Sequence, residues 1–311
     1  MTNNNPAKFA FFYLLSLISL ISLAMATGSI IFQIINKYVV DVLNELRGTY
    51  SSSSLRFSIS SIIISAPIFY YVSHLINKSL HSGELEKDSQ IRKWLSYLIL
   101  LISFIVMSGW FVGIIFNFLD GELTLKFILK AITAVAIAGT VFSYYFYDLK
   151  RKEVLGKKDR VVLIYSSVTA LVVLVTLVSA FIFVESPKDA RLRKIDNETL
   201  LRLSNVDNSI SEYYRLNNQI PAELRELLNE SNTLVQEKNL YSPGSNEFFA
   251  YSVIEDTKYR ICANFYLSNK DTDDDYRYSY LKQEWLHDAG EQCFERRVDD
   301  ISALMKEELI R

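Results

Sequence analysis

Residues 161–184, VVLIYSSVTALVVLVTLVSAFIFV, contain no Asp, Glu, Lys or Arg. About 20 apolar residues in a helix cross the roughly 30 Å of hydrocarbon in a bilayer. A helix pairs its backbone N–H and C=O groups within its own segment, as a single segment in lipid must do. The stretch therefore predicts a transmembrane helix, and it separates an apolar half of the chain from a polar half.

Four more segments on the N-terminal side have spanning length and carry almost no charge. These four segments are Phe9–Ile35, Phe57–Ile76, Trp94–Leu119 and Phe127–Tyr147, and Val161–Val184 is the fifth. The chain is 50% hydrophobic and poor in glycine, proline and cysteine, which excludes fibrous, disordered and disulfide-dense classes. The predicted fold is an all-α membrane bundle of five transmembrane helices over residues 1–184, followed by a small α+β domain over residues 185–311.

The first of these segments has two interpretations. Lys8, an apolar run and Ala24-Met25-Ala26 imitate a signal peptide with its cleavage site. The apolar run continues to Ile35, well beyond the point where cleavage would fall, and this length favours a retained helix. Either outcome leaves the topology of the remaining helices unchanged.

The distribution of charge predicts the orientation in the membrane. Residues 1–184 hold 16 Lys and Arg against 10 Asp and Glu, whereas residues 185–311 hold 17 against 25. Of the Lys and Arg that flank the predicted spans, 11 lie on the side of the N-terminus and five on the opposite side. Cytoplasmic flanks are enriched in these residues. We therefore expect a plasma-membrane protein with a cytoplasmic N-terminus and an extracytoplasmic C-terminal domain, whose acidity argues against nucleic acid as a partner.

Small residues in the third and fourth spans predict close helix packing. Gly109 and Gly113 form a GxxxG motif, and Ala134, Ala138 and Gly139 give the fourth span a flat strip. Such residues let helix backbones approach closely, either within one chain or between copies in a homo-oligomer. Ionisable side chains are nearly absent from the predicted spans, which counts against ion-coupled transport.

Several short motifs follow one another through the N-terminal half. They are Ser54-Leu55-Arg56, the Pro67 region, Arg92-Lys93-Trp94-Leu95, Gly121-Glu122-Leu123-Thr124 through Lys130, and Gly139 through Tyr144-Tyr145 to Asp148-Leu149. On these motifs, about residues 8–152 resemble an uncharacterised bacterial family of multi-pass membrane proteins, known only as a domain of unknown function. Family members often carry an acidic residue in the third span near the position of Gly109 here. The resemblance implies a multi-pass membrane domain and lends no catalytic residues.

The C-terminal half changes from helical to strand patterning. Apolar residues spaced by three or four predict a helix at about 188–216, and Pro221 is well placed to open a short helix at Ala222–Leu228. Phe248–Ile254 and Lys258–Leu267 flank a short polar turn and predict a hairpin. A further strand is predicted at Glu291–Val298.

This order of elements has a known counterpart. A long helix, then Tyr213, Tyr214, Pro221 and Leu224, then a small antiparallel sheet, resembles the head of type IV pilins and type II secretion pseudopilins over about residues 188–300. True pilins also have a short leader, a processing site and a glutamate near the start of the mature helix. The fifth span of this chain lacks that glutamate, so the resemblance implies an anchored docking or sensing domain and not a filament subunit.

The two cysteines of the chain, Cys262 and Cys293, both fall in predicted strands. Their even number and their expected place on the oxidising side of the membrane predict a disulfide. A disulfide bond between them would stabilise the folded state by about 3–4 kcal/mol in the chain-entropy account. Two separate buried thiols are the alternative.

The segment between the cysteines carries a group of acidic and aromatic residues. A weak calcium candidate consists of Asp271, Asp273 and Asp275, although the EF-hand template fails at its glycine and glutamate positions. A solvated loop tip is the default interpretation of these aspartates. A second set consists of tyrosines at alternate positions of a predicted strand, which therefore share one face: Tyr276, Tyr278 and Tyr280. That face is either a partner-binding surface or buried core.

The sequence contains no HExxH, GxSxG, P-loop, CxxC or dinucleotide-binding pattern, so we predict no catalytic residue, cofactor or metal site and expect no enzyme. The leading hypothesis is a bacterial envelope protein that displays a pilin-like domain, which docks or senses a partner outside the cytoplasm. The alternative is a small-molecule or lipid transporter or channel with an accessory external domain. The expected partners are the lipid bilayer and either an envelope protein or a second copy of the chain.

Overall fold

The computed structural model describes residues 6–39, 50–85, 89–151, 159–228, 235–270 and 284–298. Six α-helices lie in these ranges: α1 Pro6–Tyr38, α2 Ser52–Ser82, α3 Gln90–Leu119, α4 Leu125–Lys150, α5 Arg160–Phe183 and α6 Pro187–Asn217. Three strands follow, β1 Ala250–Glu255, β2 Lys258–Phe265 and β3 Gly290–Arg297. The chain divides into two compact units, residues 1–184 and residues 185–311. Five long apolar helices followed by a small α+β unit confirm the predicted fold class.

The helices of the first unit begin where polar side chains can cap them. The Ser51 hydroxyl accepts the N–H of Ser54 at the start of α2, and the Thr124 hydroxyl accepts the N–H of Phe127 at the start of α4. A cap of this kind satisfies one of the four N–H groups that a helix leaves without an intrahelical acceptor. The first five helices therefore begin and end close to the predicted spans, with the length and apolarity that a membrane crossing requires.

Helix α1 organises the bundle, because it contacts each of the other four long helices. Leu23 and Ile30 of α1 pack with Leu55 and Ile62 of α2 in one buried cluster. The Thr27 hydroxyl in this interior turns back to its own helix and donates to the carbonyl oxygen of Leu23 at 2.8 Å. A hydroxyl that is satisfied in this way can be buried among apolar neighbours at little cost.

The outer faces of α3 and α5 are apolar and exposed. Ile105 of α3 is 58% exposed and Leu171 of α5 is 61% exposed, and both lie among other exposed aliphatic residues. A soluble protein rarely presents a contiguous apolar surface of this extent. The exposed faces are therefore those expected of helices that contact lipid.

The second unit has a conventional buried core between α6 and an antiparallel sheet of order β1-β2-β3. Leu203 and Ile210 of α6 pack with Tyr259 and Ile261 of β2 and with Trp285, and all five are fully buried. The opposite face of the sheet points away from this core, since the residues of β2 alternate between buried and accessible.

Local differences from the predicted boundaries have physical causes. α6 ends at Asn217, because the next residue, Asn218, has a φ of 53°, the left-handed conformation that asparagine tolerates. Strand β1 begins at Ala250 instead of Phe248, because Phe248 forms an isolated bridge with Tyr241. The short helix predicted at Ala222–Leu228 is a 3₁₀ helix at Leu224–Leu228, and a second 3₁₀ helix at Glu237–Leu240 was not predicted.

Candidate functional site at one end of the bundle

A buried ion pair joins α3 to α4 near the end of the bundle. Nη2 of Arg92 lies 2.6 Å from Oδ2 of Asp148 and 2.7 Å from the backbone oxygen of the same residue. Arg92 is 1% exposed and Asp148 is 8% exposed. Two hydrogen bonds from one guanidinium to one residue fix the end of α4 against the first turn of α3.

A second arginine extends this pair toward the start of α5. Nη2 of Arg151 lies 3.3 Å from Oδ1 of Asp148, and Nη1 of Arg151 lies 3.5 Å from Oδ2 of Asp159. Asp159 also accepts the N–H of Val161 at 2.9 Å and the hydroxyl of Tyr147 at 3.0 Å. Burial favours a higher pKa for the Asp159 carboxyl, but these hydrogen bonds and Arg151 hold the pKa below its usual value.

A small cavity with both polar and apolar walls lies beside Asp148. Its volume is about 30 Å³, and it is lined by residues of α1, α2 and α4: Tyr13, Ser16, Ser73, Ile76, Asn77, Leu80, Tyr144, Tyr145 and Asp148. Tyr144 hydrogen-bonds Asn77, and Tyr145 hydrogen-bonds Ser16. The Tyr13 hydroxyl is buried and has no hydrogen-bond partner among the described residues. The cavity therefore brings a carboxylate, hydroxyls and an amide together inside an otherwise apolar bundle.

The predicted near-absence of ionisable groups concerns the spans, and buried charge lies just outside them at this end of the bundle. Arg92 and Asp148 lie within α3 and α4 and are buried, although both fall just outside the predicted spans Trp94–Leu119 and Phe127–Tyr147. Span prediction rests on the apolar window, and it assigns charged residues next to that window to solvent. Both residues do belong to the motifs that carry the family resemblance, and this was the available signal.

The arrangement holds helices together at this end of the bundle. Arg92 and Arg151 balance Asp148 and Asp159, so the four side chains carry no net charge. Across the described residues, no three His, Cys, Asp or Glu side chains are grouped closely enough to hold a metal ion.

The residues predicted to mediate helix packing occupy different environments. A Cβ atom on Gly113 would lie 3.2 Å from Cζ of Phe127, and one on Gly139 would lie 3.9 Å from Sδ of Met107. Both glycines thus lie where α3 meets α4. Of the remaining three residues, Ala138 is buried, Ala134 is half-buried and Gly109 is exposed, and a Cβ on Gly109 would meet no atom within 4 Å. The GxxxG motif therefore places one glycine in a contact and one on the outer surface.

Cys262 and Cys293 form a disulfide in the structure. They are directly opposite residues of the antiparallel pair β2–β3, on the face of the sheet that points away from the core. Cys262 is half-buried and Cys293 is exposed. The predicted calcium candidate (Asp271, Asp273, Asp275) and the predicted tyrosine face (Tyr276, Tyr278, Tyr280) lie outside the described residues.

Two further buried carboxylates lie in the described part of residues 185–311, and neither was predicted from the sequence. Asp207 of α6 accepts hydrogen bonds from the Tyr259 hydroxyl of β2 and from Nη2 of Arg296 of β3, the latter at 2.9 Å. Asp196, eleven residues earlier and about three helical turns away, accepts the backbone N–H groups of Tyr266 and Leu267, each at 2.9 Å. Both aspartates fall on the apolar stripe of α6, and this position was the signal that could have identified them.

The chain thus joins a bundle of apolar helices of the multi-pass type to a separate α+β unit. Within the bundle, residues 10–145 match the family model described as Domain of unknown function (DUF5671). The match begins in α1 and ends inside α4, so most of the first four helices form an uncharacterised domain, as the resemblance implied. No curated protein and no solved structure gives a significant match to the chain. The resemblance of residues 188–300 to pilins stays a prediction.

Proposed function

We propose that this protein is a non-enzymatic, multi-pass membrane protein of the bacterial envelope whose residues 185–311 dock or sense a partner outside the cytoplasm. The observation that carries the proposal is the division into two units, one with an apolar outer surface and one whose apolar residues are mostly buried. The outward faces of α3 and α5 are suited to lipid, whereas the second unit buries its apolar residues and is suited to water.

The extracytoplasmic location rests on charge and on the disulfide. Flanking Lys and Arg number 11 on the side of the N-terminus against five on the other, which favours a cytoplasmic N-terminus. With five crossings, the second unit would then lie outside the cytoplasm, and the Cys262–Cys293 bond supports this location, because disulfides persist in oxidising compartments.

Thiol labelling in intact cells tests this location. Without reductant, a membrane-impermeant maleimide should label neither cysteine. After reduction with an impermeant phosphine, Cys293 and Cys262 should both react, because the bond lies on the accessible face of the sheet. A Cys262→Ser/Cys293→Ser chain controls for background. Labelling that requires permeabilised membranes would contradict the proposed orientation.

Site-specific photocrosslinking tests the docking role in the full chain. A photoreactive residue at exposed Phe248 or Leu286 of the second unit should give a reproducible protein adduct in cells. The same residue at exposed Ile105 of α3 serves as the matched control and should give lipid adducts. Protein adducts at Ile105 alone, with none from the second unit, would overturn the docking role.

A transporter or channel is the alternative function, and it requires a passage wide enough for a solute. The cavity beside Asp148 has a volume of about 30 Å³, and roughly 10–15 Å³ of such volume accommodates one water molecule. The cavity is thus too small for an organic substrate, and it does not favour this alternative.

A further inference from the structure

The cavity beside Asp148 combines polar walls with room for a small molecule. Its volume of about 30 Å³ is roughly what two water molecules require. Apolar cavities of proteins stay dry, whereas polar cavities of sufficient size hold ordered water that bonds to two or more groups. The walls here include Ser73 and Asn77 of α2 and Tyr13 of α1 as well as the Asp148 carboxylate.

The Tyr13 hydroxyl indicates what this cavity binds. Tyr13 is 8% exposed, and its hydroxyl finds no hydrogen-bond partner in the part of the chain that the structure describes. The other two tyrosines of the cavity are paired, Tyr144 with Asn77 and Tyr145 with Ser16. A buried hydroxyl without a partner destabilises a fold, so a ligand that can both donate and accept a hydrogen bond would be stabilised beside Tyr13.

The charges around the cavity decide between water and an ion. Asp148 is already paired with Arg92 and Arg151, and Arg151 is also paired with Asp159. An added cation would lie close to two guanidinium groups, and an added anion would lie next to a carboxylate. A neutral ligand adds no uncompensated charge to this buried site.

We propose that the cavity binds one or two water molecules, which link the Tyr13 hydroxyl of α1 to Asn77 of α2 and to the Asp148 carboxylate of α4. The waters give the Tyr13 hydroxyl its hydrogen-bond partners and connect α1 to the ion-pair cluster. They form a hydration site inside the uncharacterised domain.

Radiolytic hydroxyl labelling of the full chain in lipid nanodiscs tests the proposal directly, because radicals formed from bound water modify adjacent side chains. Tyr13 should be modified several-fold faster than Tyr259, which is fully buried and paired with Asp207. Equal and slow modification of the two tyrosines would show a dry cavity and overturn the proposal.

The sign of a substitution effect gives a second test. If water bonds the Tyr13 hydroxyl, Tyr13→Phe should lower the thermal unfolding midpoint, as Tyr145→Phe should by removing a hydroxyl already paired with Ser16. In a dry cavity, Tyr13→Phe removes an unpaired hydroxyl and would leave the midpoint unchanged or raise it. A midpoint that rises with sodium or potassium but not with choline would instead assign the site to a cation and contradict the proposal.

Discussion

Asp148 in the bundle and Asp207 in the α+β unit are both buried carboxylates bound by arginine, but they occupy different places in their helices. Asp148 lies in the last turn of α4, where Arg92 and Arg151 reach it. Asp207 lies in the middle of α6 and bonds Tyr259 and Arg296 from two strands. The α+β unit therefore has a buried charge in the middle of its helix, whereas in the described part of the bundle the buried Arg92–Asp148 pair lies at one end and hydroxyls such as that of Thr27 lie deeper inside.

This difference reflects the surroundings of each unit. In the α+β unit, water solvates the outer side chains, and a buried ion pair can join a helix to a sheet whose apolar residues supply the stability. In the bundle the outward faces are apolar, and a charge in the middle would be far from any polar region. Polar contacts thus specify how the ends of the bundle helices meet, and apolar packing supplies the remainder.

The largest effect is expected from Arg92→Leu. The change leaves Asp148 buried with one of its two arginines, and breaking a buried pair costs about 3–5 kcal/mol. The free energy of unfolding in detergent should fall by this amount. Lys93→Leu, one position along and exposed, should change it by less than about 0.5 kcal/mol. Equal losses for the two substitutions would show that the buried Arg92–Asp148 pair stabilises the bundle no more than an exposed charge does.

The disulfide should give the next largest effect, confined to the α+β unit. Cys262→Ser/Cys293→Ser removes a cross-link over a sequence separation of 31 residues, worth about 3 kcal/mol in the chain-entropy account. Trp285 is buried in this unit, so its fluorescence in a Trp94→Phe/Trp110→Phe chain reports the unit separately. An unchanged Trp285 transition would show that the sheet and α6 are held without the bond.

The sequence predicts the helices and strands well, but it does not predict the contacts between them. The five apolar helices and the switch to strands are recorded in local patterns, because each segment has its own hydrophobic period. The Arg92–Asp148 pair joins residues 56 positions apart, each at the edge of an apolar window, and nothing local distinguishes a paired charge there from a solvated one. The cavity beside Tyr13 needs three helices in register, and single-segment patterns do not encode that register.

A third pair of substitutions compares buried hydroxyls in the two units. Tyr259→Phe removes a hydrogen bond to the Asp207 carboxylate, which Arg296 also contacts, and bonds to charged groups are worth about 1.5–3 kcal/mol. Thr27→Val removes a bond to the carbonyl oxygen of Leu23 in the same helix, and hydroxyl bonds within membrane bundles average about 0.6 kcal/mol. Denaturation followed separately for each unit should show the larger loss for Tyr259→Phe. A larger loss for Thr27→Val would show that the Thr27 hydroxyl stabilises the bundle beyond the hydrogen bond that it makes within its own helix.

The smallest effect concerns pH and should again be confined to the α+β unit. His287 is buried, stacks on Phe265 at 3.7 Å between ring centroids, and has Nδ1 at 3.1 Å from the backbone oxygen of Asp288. Burial lowers the pKa of His287 below its ordinary value of 6.5, against the opposing effect of that backbone oxygen and of the Asp196 and Asp288 carboxylates, while Lys270 lowers it further.

The imidazole of His287 binds a proton at higher pH in the unfolded chain than in the folded chain. The stability that the neutral, buried imidazole contributes is therefore fully present above pH 6.5 and is lost as the pH falls through that value. The Trp285 transition should therefore move to lower denaturant concentration between about pH 7.5 and about pH 5.5, the range in which histidine titrates. His287→Gln should flatten this dependence, and His74→Gln in the bundle should leave it unchanged. If the dependence survives in His287→Gln, another group titrates, and the acid sensitivity of the unit does not arise from this buried imidazole.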